Sequence, residues 1–151
     1  MASNLKARIQ DDMKAAMRSK DSRRLGVIRM ILAALKQKEV DERIELDDAQ
    51  VIAILGKMLK QRRDSLSQFE SAGRQDLVEQ EAFEIGVIET YLPPALDEGE
   101  LATLIDEAIA SSGASSARDM GKVMGLLKPR IQGRADMGQV SRMVKERLGG
   151  A

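Results

Sequence analysis

The C-terminal part of the chain takes its fold from residues 119–148, DMGKVMGLLKPRIQGRADMGQVSRMVKERL. Apolar residues recur every three or four positions on both sides of Pro129, which predicts two amphipathic helices joined by a turn. Because Pro129 has no N–H to donate one turn back, the first helix is expected to kink or end near Lys128. Three cations then lie in irregular backbone: Lys128, Arg130 and Arg134. Asp136 is expected to cap the second helix.

The same stretch concentrates the positive charge of the chain. Lys and Arg balance Asp and Glu over the whole sequence, 24 against 24. Residues 118–148, however, hold eight bases and three acids, whereas residues 93–117 hold five acids and no base. A neutral chain with a cationic tail indicates an anionic partner for that tail, so the asymmetry bears on binding rather than on catalysis.

Composition favours helices and excludes several kinds of site. Aromatic residues make up only 2% of the chain, so the core consists of Leu, Ile, Val, Met and Ala, a mixture more typical of helices than of sheets. The sequence contains no cysteine and no histidine, which excludes disulfides and thiol nucleophiles and removes the commonest metal ligand and general base. We therefore expect no catalytic constellation, no metal site and no cofactor.

The sequence also predicts a location away from membranes. It has no run of about 18 uncharged apolar residues, the length that a membrane-spanning helix requires. The N-terminal residues MASNLKARIQDDMK lack the apolar centre of a secretory signal peptide. These features predict a cytoplasmic protein with no membrane partner.

Helical periodicity predicts four helices before the double proline Pro93-Pro94 and three after it. The first four are joined by short turns, which is typical of an antiparallel bundle. The double proline removes two backbone donors and disfavours helical geometry at Leu92, so the domain border is expected there. The predicted fold is all-α, with an N-terminal antiparallel helical bundle at residues 1–92 and a small three-helix domain at residues 93–151.

Two charged features of the N-terminal bundle have a structural interpretation, and the first also has a functional one. Residues 1–38 hold ten bases and three acids, which form either a solvated helix exterior, the more frequent case, or a second cationic surface. Arg62 interrupts the apolar stripe of the third helix. Its aliphatic stem is expected to run along the helix edge toward water.

Two glycine motifs in the tail are similarly ambiguous. Gly121 and Gly125 leave bare backbone on one strip of a helix, where either another helix packs closely, the more frequent use, or a sugar–phosphate backbone approaches. Gly133 opens the turn Gly-Arg-Ala-Asp just before the last helix, whose N-terminal amides and dipole attract phosphate. Asp136 competes for those amides as the cap, so a plain helical turn is the alternative.

The tail cations are the more specific signal. They combine loop placement, a helix N-terminus and helix faces opposite the apolar stripe. The predicted nucleic-acid-binding set is Lys122, Lys128, Arg130, Arg134, Arg142 and Lys145. Residues 93–151 contain no aromatic side chain on which a base could stack, so recognition of single-stranded bases is disfavoured. The set suits the backbone and shape of a folded RNA or a duplex.

The quoted stretch resembles the C-terminal signature of the GatB/YqeY family. Other segments are similar to the stand-alone YqeY-like proteins of that family, so the resemblance covers nearly the whole chain. These segments are RRLGVIRMILAALKQKEV, LKQRRDSLSQFESAGRQDLVEQEAFEIGVIETYLPPALDEGEL and SSARDMGKVMG. In the larger family member GatB, which is one subunit of the glutamine-dependent aspartyl/glutamyl-tRNA amidotransferase, the similar domain is a tail that helps to hold tRNA.

The resemblance implies an all-helical, two-domain, tRNA-binding accessory protein. Where the sequence matches the family's motif, the resemblance points to these positions as functional: Gly121, Lys122, Gly125, Lys128, Gly133, Arg134, Ala135 and Asp136. The family label, carbon–nitrogen ligase with glutamine as amido donor, comes with it. Amide transfer needs a glutaminase nucleophile and a site for ATP and magnesium, whereas this sequence has no cysteine and no Gly-rich phosphate loop. The chain alone is therefore not expected to catalyse the reaction.

Two alternatives belong to other classes of protein. One is a helical protein–protein adaptor that uses methionines as adaptable surface, although these fall mostly on the inward stripe. The methionines are Met120, Met124, Met137 and Met143. The other is a component of a multi-subunit amidotransferase that is active only with its partner subunits. Besides tRNA, the expected partners are therefore amidotransferase subunits or a tRNA synthetase.

Overall fold

The computed structural model describes residues 3–149, and this part of the chain is helical without any β-strand. It forms seven α-helices and one turn of 3-10 helix at Ala117–Asp119. The α-helices are α1 Asn4–Ser19, α2 Ser22–Glu42, α3 Asp48–Ser71, α4 Gln75–Glu89, α5 Glu98–Ser112, α6 Met120–Ile131 and α7 Met137–Gly149. The all-α prediction is confirmed. No helix in residues 3–149 is long and apolar enough to cross a membrane.

The chain divides into two compact units, Met1–Leu92 with α1 to α4 and Pro93–Ala151 with α5 to α7. Each unit has its own apolar core. Fully buried side chains of the first core include Ile9, Ile28, Ile31, Leu55 and Ile88, and those of the second include Ile105, Val123, Leu127, Val140 and Val144. That residues 1–92 and 93–151 are separate domains stays a prediction.

Side-chain caps decide where the helices of the first unit begin. Ser3 and Asp21 each accept a hydrogen bond from a backbone N–H three residues on, at the starts of α1 and α2. A reciprocal capping box between Asp47 and Gln50 starts α3. The Ser3 hydroxyl also donates to the carboxylate of Asp48, which ties the start of α1 to the start of α3.

Polar contacts fasten α1 to the rest of its unit. Lys6 Nζ lies 2.7 Å from Glu39 Oε1 of α2. The Arg8 guanidinium lies 5.0 Å from the centroid of the Tyr91 ring and donates to the carbonyl of Thr90 at 3.2 Å. Replacing Lys6 or Arg8 therefore alters packing as well as charge.

Arg62 does not run along the helix edge toward water, as its position in the stripe predicts. It lies between α3 and α4, where Nη1 is 3.8 Å from Glu81 Oε1 and Nε is 3.4 Å from Glu84 Oε2. Nη2 also contacts the sulfur of Met30 at 2.8 Å. The prediction is wrong because the stripe of α3 faces a helix that brings two acids to the same depth. The two acids lie on adjacent turns of α4. Spacing along α3 alone could not predict that they pair with Arg62.

Replacing Glu81 with Gln is expected to stabilise the protein at neutral pH. Burial, and then the charge of Glu84, raise the pKa of Glu81 above its ordinary value. A raised carboxyl pKa means that the folded state holds the proton more tightly, so stability falls as pH rises through the folded-state pKa. The variant should therefore show a higher unfolding midpoint than wild type at pH 7, with the difference closing toward pH 4. An equal midpoint at pH 7 would mean that Arg62 fully offsets the burial of the carboxylate.

In the second unit, α6 continues past the proline at which it was expected to kink or end. Lys128, Pro129 and Arg130 are all helical, and α6 ends at Ile131. An interior proline costs about 3 kcal/mol. Pro129 lies in the last turn, however, where Ile131 is fully buried and the N–H of Gln132 donates to the carbonyl of Lys128 at 3.0 Å. Burying such a side chain contributes about 1.5–3 kcal/mol, which offsets much of that cost.

Candidate nucleic-acid interface

Helices α5, α6 and α7 surround the second core, and two ion pairs mark the sides of α6 and α7 that face α5. Arg130 of α6 lies 3.2 Å from Glu107, and Arg147 of α7 lies 2.9 Å from Asp106. The two acids are consecutive in sequence and so point to different sides of α5. Each of them neutralises one cation of the tail. Arg130 therefore pairs with α5. The sequence had placed it in the predicted binding set instead.

The lysines two positions earlier point away from α5. Lys128 precedes Arg130 by two residues and Lys145 precedes Arg147 by two, which places each lysine about 160° around its helix from the paired arginine. Both lysines are exposed, as is Arg142. Within residues 3–149, these three cations form no ion pair. One acid, Glu146, shares the exposed side of α7.

Gly121 and Gly125 form an open strip on α6. They lie opposite the buried stripe of Val123 and Leu127, and both are exposed. A Cβ atom built on either glycine would meet no atom within 4 Å. The expectation of close helix packing at this spacing is therefore not met by any helix of residues 93–149. The two glycines therefore expose about one turn of helix backbone that no side chain covers.

Lys122 and Lys128 lie on the two edges of this glycine strip. The Lys122 side chain is 70% exposed, and its Nζ is 3.9 Å from Asp119 Oδ1, a contact too long and too exposed to hold it. Asp119 has a closer partner in the backbone N–H of Ser115 at 3.0 Å, which is the main cause of its lowered pKa. Lys122 is thus available for a ligand.

The turn before α7 is used by the fold. Arg134 Nε donates to the carbonyl of Pro94 at 3.1 Å, and the N–H of Leu96 donates to the carbonyl of Arg134 at 2.9 Å. Gly133 has φ +76°, a conformation that favours glycine for steric reasons. Both residues thus have a structural role, so their presence in the turn does not by itself indicate a ligand.

Asp136 caps α7 as expected. Its Oδ1 accepts a hydrogen bond from the N–H of Gly138 at 3.0 Å, and its carbonyl accepts one from the N–H of Val140 at 3.0 Å. The carboxylate occupies the position that a phosphate would take at this helix N-terminus. The cationic sides of α6 and α7 are therefore better candidates for a phosphate contact than the turn between them.

Four of the six predicted cations remain candidates for a ligand contact, and together with Gly121 and Gly125 they are here called the tail surface. They are Lys122 and Lys128 of α6, on the edges of the glycine strip, and Arg142 and Lys145 of α7. Sequence reasoning missed Arg147, Asp106 and Glu107, although five acids and no base in residues 93–117 signalled that α5 carries partners for the tail cations. The methionines proposed for an adaptor pack against the second core instead. No group of three or more acids in residues 3–149 is placed to hold a metal ion.

The fold and this surface define a class of protein: two small helical units, of which the second carries exposed cations beside bare helix backbone. The chain matches the model of the family described as Yqey-like protein over residues 6–148. It belongs to that family. The match runs through both units, so the resemblance seen in the quoted motifs extends to the N-terminal helices as well as to the tail.

Curated fungal relatives carry the name Altered inheritance of mitochondria protein 41, mitochondrial. The protein of Pyrenophora tritici-repentis is 32% identical, over 94% of this chain and 80% of its own length. Those of Kluyveromyces lactis and Eremothecium gossypii are 40% and 38% identical, over 56% and 66% of this chain. These two alignments span about half of the relative, 46% and 56% of its length.

Proposed function

We propose that this protein is a tRNA-binding accessory protein that holds RNA by its phosphate backbone on the tail surface. The observation that carries the proposal is the glycine strip, which is exposed, uncovered by other atoms and edged by Lys122 and Lys128. Glycine in a helix interior costs about 1 kcal/mol relative to alanine. Two such residues on a face that packs against nothing in their unit favour a use for the bare backbone.

The chemistry of the surface favours a folded RNA over a single strand. Lysine and arginine contact phosphates regardless of sequence, and close approach of the backbone is easiest where no Cβ stands between. Residues 93–151 contain no aromatic side chain for base stacking. The proposed ligand is therefore the double-helical part of a tRNA, recognised by its shape and phosphates.

The experiment that tests the proposal is the double variant Gly121→Ala, Gly125→Ala. The two methyl groups enter open space and remove backbone freedom in the unfolded chain, so the free energy of unfolding should rise by about 0.5–1 kcal/mol per site. Binding to unfractionated tRNA should nevertheless weaken, because the methyl groups hold the phosphates away from the helix. Urea unfolding and fluorescence anisotropy measure the two effects on the same preparation.

Opposite signs in the two measurements separate this proposal from a purely structural strip. Gly86→Ala on α4 is the matched control, since Gly86 is also an exposed helical glycine on which an added Cβ atom would meet nothing within 4 Å, and it lies outside the tail surface. It should raise the free energy of unfolding and leave the binding to tRNA unchanged. A stabilised Gly121/Gly125 variant that binds tRNA like wild type would overturn the assignment of the glycine strip.

The family label and the location belong to the same proposal. We propose that the chain alone does not catalyse the reaction. We also propose that it associates with an amidotransferase or a tRNA synthetase, which uses the bound tRNA. A cytoplasmic location is also proposed, whereas the names of the fungal relatives include the word mitochondrial. Imaging of the tagged full-length protein distinguishes the two compartments.

A further inference from the structure

We infer that α2 carries a second RNA-binding surface, which contacts the phosphates of an RNA duplex through Arg29, Lys36 and Arg43, here called the α2 cation row. The row lies in the unit Met1–Leu92, whereas the tail surface lies in the other unit. The inference therefore extends the proposed function to a surface that the tail motifs do not include.

The members of the row share one side of α2. Arg29 and Lys36 are seven residues apart, which places them within about 20° of each other around the helix and about 10.5 Å apart along it. Arg43 follows at the same spacing, as the residue that closes α2. All three side chains are exposed. The row therefore extends over about 21 Å of the helix.

Contacts on either side show that the row points away from the bundle. Glu39 marks the side of α2 that faces α1, because it pairs with Lys6. Met30 marks the side that faces α3, because its sulfur contacts Arg62. At 100° per residue, Arg29 lies about 80° from Glu39 and about 100° from Met30, and so between the two packed sides.

Uncharged residues with short side chains separate the cations, and the face itself carries no acid. Ala33 lies between Arg29 and Lys36, Val40 lies between Lys36 and Arg43, and Gly26 precedes Arg29 by one turn; all three are exposed. A Cβ atom at Gly26 would meet nothing within 4 Å. The acids Asp41 and Glu42 bond to Gln37 and Lys38 on other sides of the helix. Within residues 3–149, no member of the row forms an ion pair. The exposed face of α2 thus carries three solvated cations, separated by shorter side chains.

The conformation of Arg43 is a second, independent observation. It closes α2 with φ 55°, in the left-handed region where a side chain is sterically disfavoured. Gly73, Gly113 and Gly133 occupy the same region elsewhere in the chain, and so does Lys20 at the end of α1. A cation at a helix C-terminus regains some stability from the dipole, but less than this steric cost. An arginine where glycine fits better therefore supports a use of the Arg43 side chain outside the fold, beside its exposure and its place in the row.

The shape of the ridge favours duplex RNA among anionic partners. The minor groove of A-form RNA is wide and shallow, so a convex helix with small residues between long cations can enter it and reach phosphates on its rims. Residues 22–43 contain no aromatic side chain, so stacking on single-stranded bases plays no part.

The test uses the full-length triple variant Arg29→Gln, Lys36→Gln, Arg43→Gly and an RNA duplex of about 16 base pairs, the length that a double-stranded RNA-binding domain spans. Anisotropy between about 50 and 200 mM salt should show a salt slope lower in magnitude by about 2.7, or 0.9 for each lost contact. The dissociation constant at low salt should rise on the order of 100-fold. The thermal midpoint should not fall, because glycine relieves the left-handed conformation at position 43.

A matched control removes three exposed cations from α1 and α3 of the same unit, which form no ion pair within residues 3–149: Lys14→Gln, Lys57→Gln and Lys60→Gln. If its slope falls as far as that of the row variant, net charge alone explains the loss and the inference is wrong. The inference is also wrong if the row variant keeps its RNA binding but loses binding to poly-glutamate, which would assign the row to an acidic protein partner.

The same assay separates the row from the tail surface. Variants of the tail surface are measured beside the row variant, on the same duplex and on unfractionated tRNA. Loss in the tail variant alone overturns the inference and leaves the proposed function standing. Loss in the row variant alone supports the inference and overturns the tail surface as the RNA site.

Discussion

The triple variant Lys128→Glu, Arg142→Glu, Lys145→Glu is expected to lose all measurable binding to unfractionated tRNA at about 0.15 M salt. Each lost phosphate contact should lower the magnitude of the salt slope by about 0.7–0.9, and each reversed charge adds repulsion to that loss. The three side chains are exposed and form no ion pair within residues 3–149. The free energy of unfolding should therefore change by no more than about 0.5 kcal/mol.

The structure decides which residues belong in this variant and in its control. Arg130 and Arg134 are left out because they bond to Glu107 and to the carbonyl of Pro94, so replacing them would disturb the fold. Lys6 and Arg8 are unsuitable as controls for the same reason. The control reverses Lys14 of α1 and Lys57 and Lys60 of α3, which are exposed and form no ion pair within residues 3–149. Retained tRNA binding in the tail variant, or an equal loss in the control, would show that the tail surface is not the site.

Replacing Arg62 with Met is expected to lower the free energy of unfolding at pH 7 by about 3 kcal/mol, the low end of the range for breaking a buried ion pair. The low end applies because the Arg62 side chain is 29% exposed, whereas those of Glu81 and Glu84 are 12% and 14% exposed. Methionine keeps most of the stem, so the loss reports on the two carboxylates. Within residues 3–149, Glu81 Oε2 and Glu84 Oε2 have no hydrogen-bond partner even with Arg62 present.

The pH dependence and a rescue variant identify the cause of this loss. In urea unfolding, the deficit should shrink toward pH 4, because the raised pKa of Glu81 favours its protonation there and a neutral carboxyl needs no cation. Adding Glu81→Gln and Glu84→Gln to Arg62→Met should restore most of the stability at pH 7, because a neutral cluster can replace a buried ionic one. A deficit that is small at pH 7, or that survives in the triple variant, would show that packing against Met30 matters more than charge.

The sequence alone was enough to predict four helices before Pro93-Pro94 and three after it, and the cap of the last one. Local chemistry decides these features: Ser3 and Asp47 cap α1 and α3 through bonds to amides three residues on, and Asp136 caps α7. Apolar periodicity likewise predicted which side of each helix is buried, since Val123 and Leu127 of α6 are fully enclosed. The resemblance carried by the quoted motifs agrees with the family match over residues 6–148.

What tertiary structure decided is which polar groups meet across helices. Cations that look alike in sequence separate into two kinds: Arg130 bonds to an acid of α5, whereas Lys128, two residues earlier, points away from it. Burial of Ile131 carries α6 past a proline that local rules expect to end it. Helix propensity, capping and periodicity act within a few residues, so sequence determines them directly. Ion pairs and the openness of a glycine strip depend on which surfaces lie opposite, and the packing of the helices alone sets that.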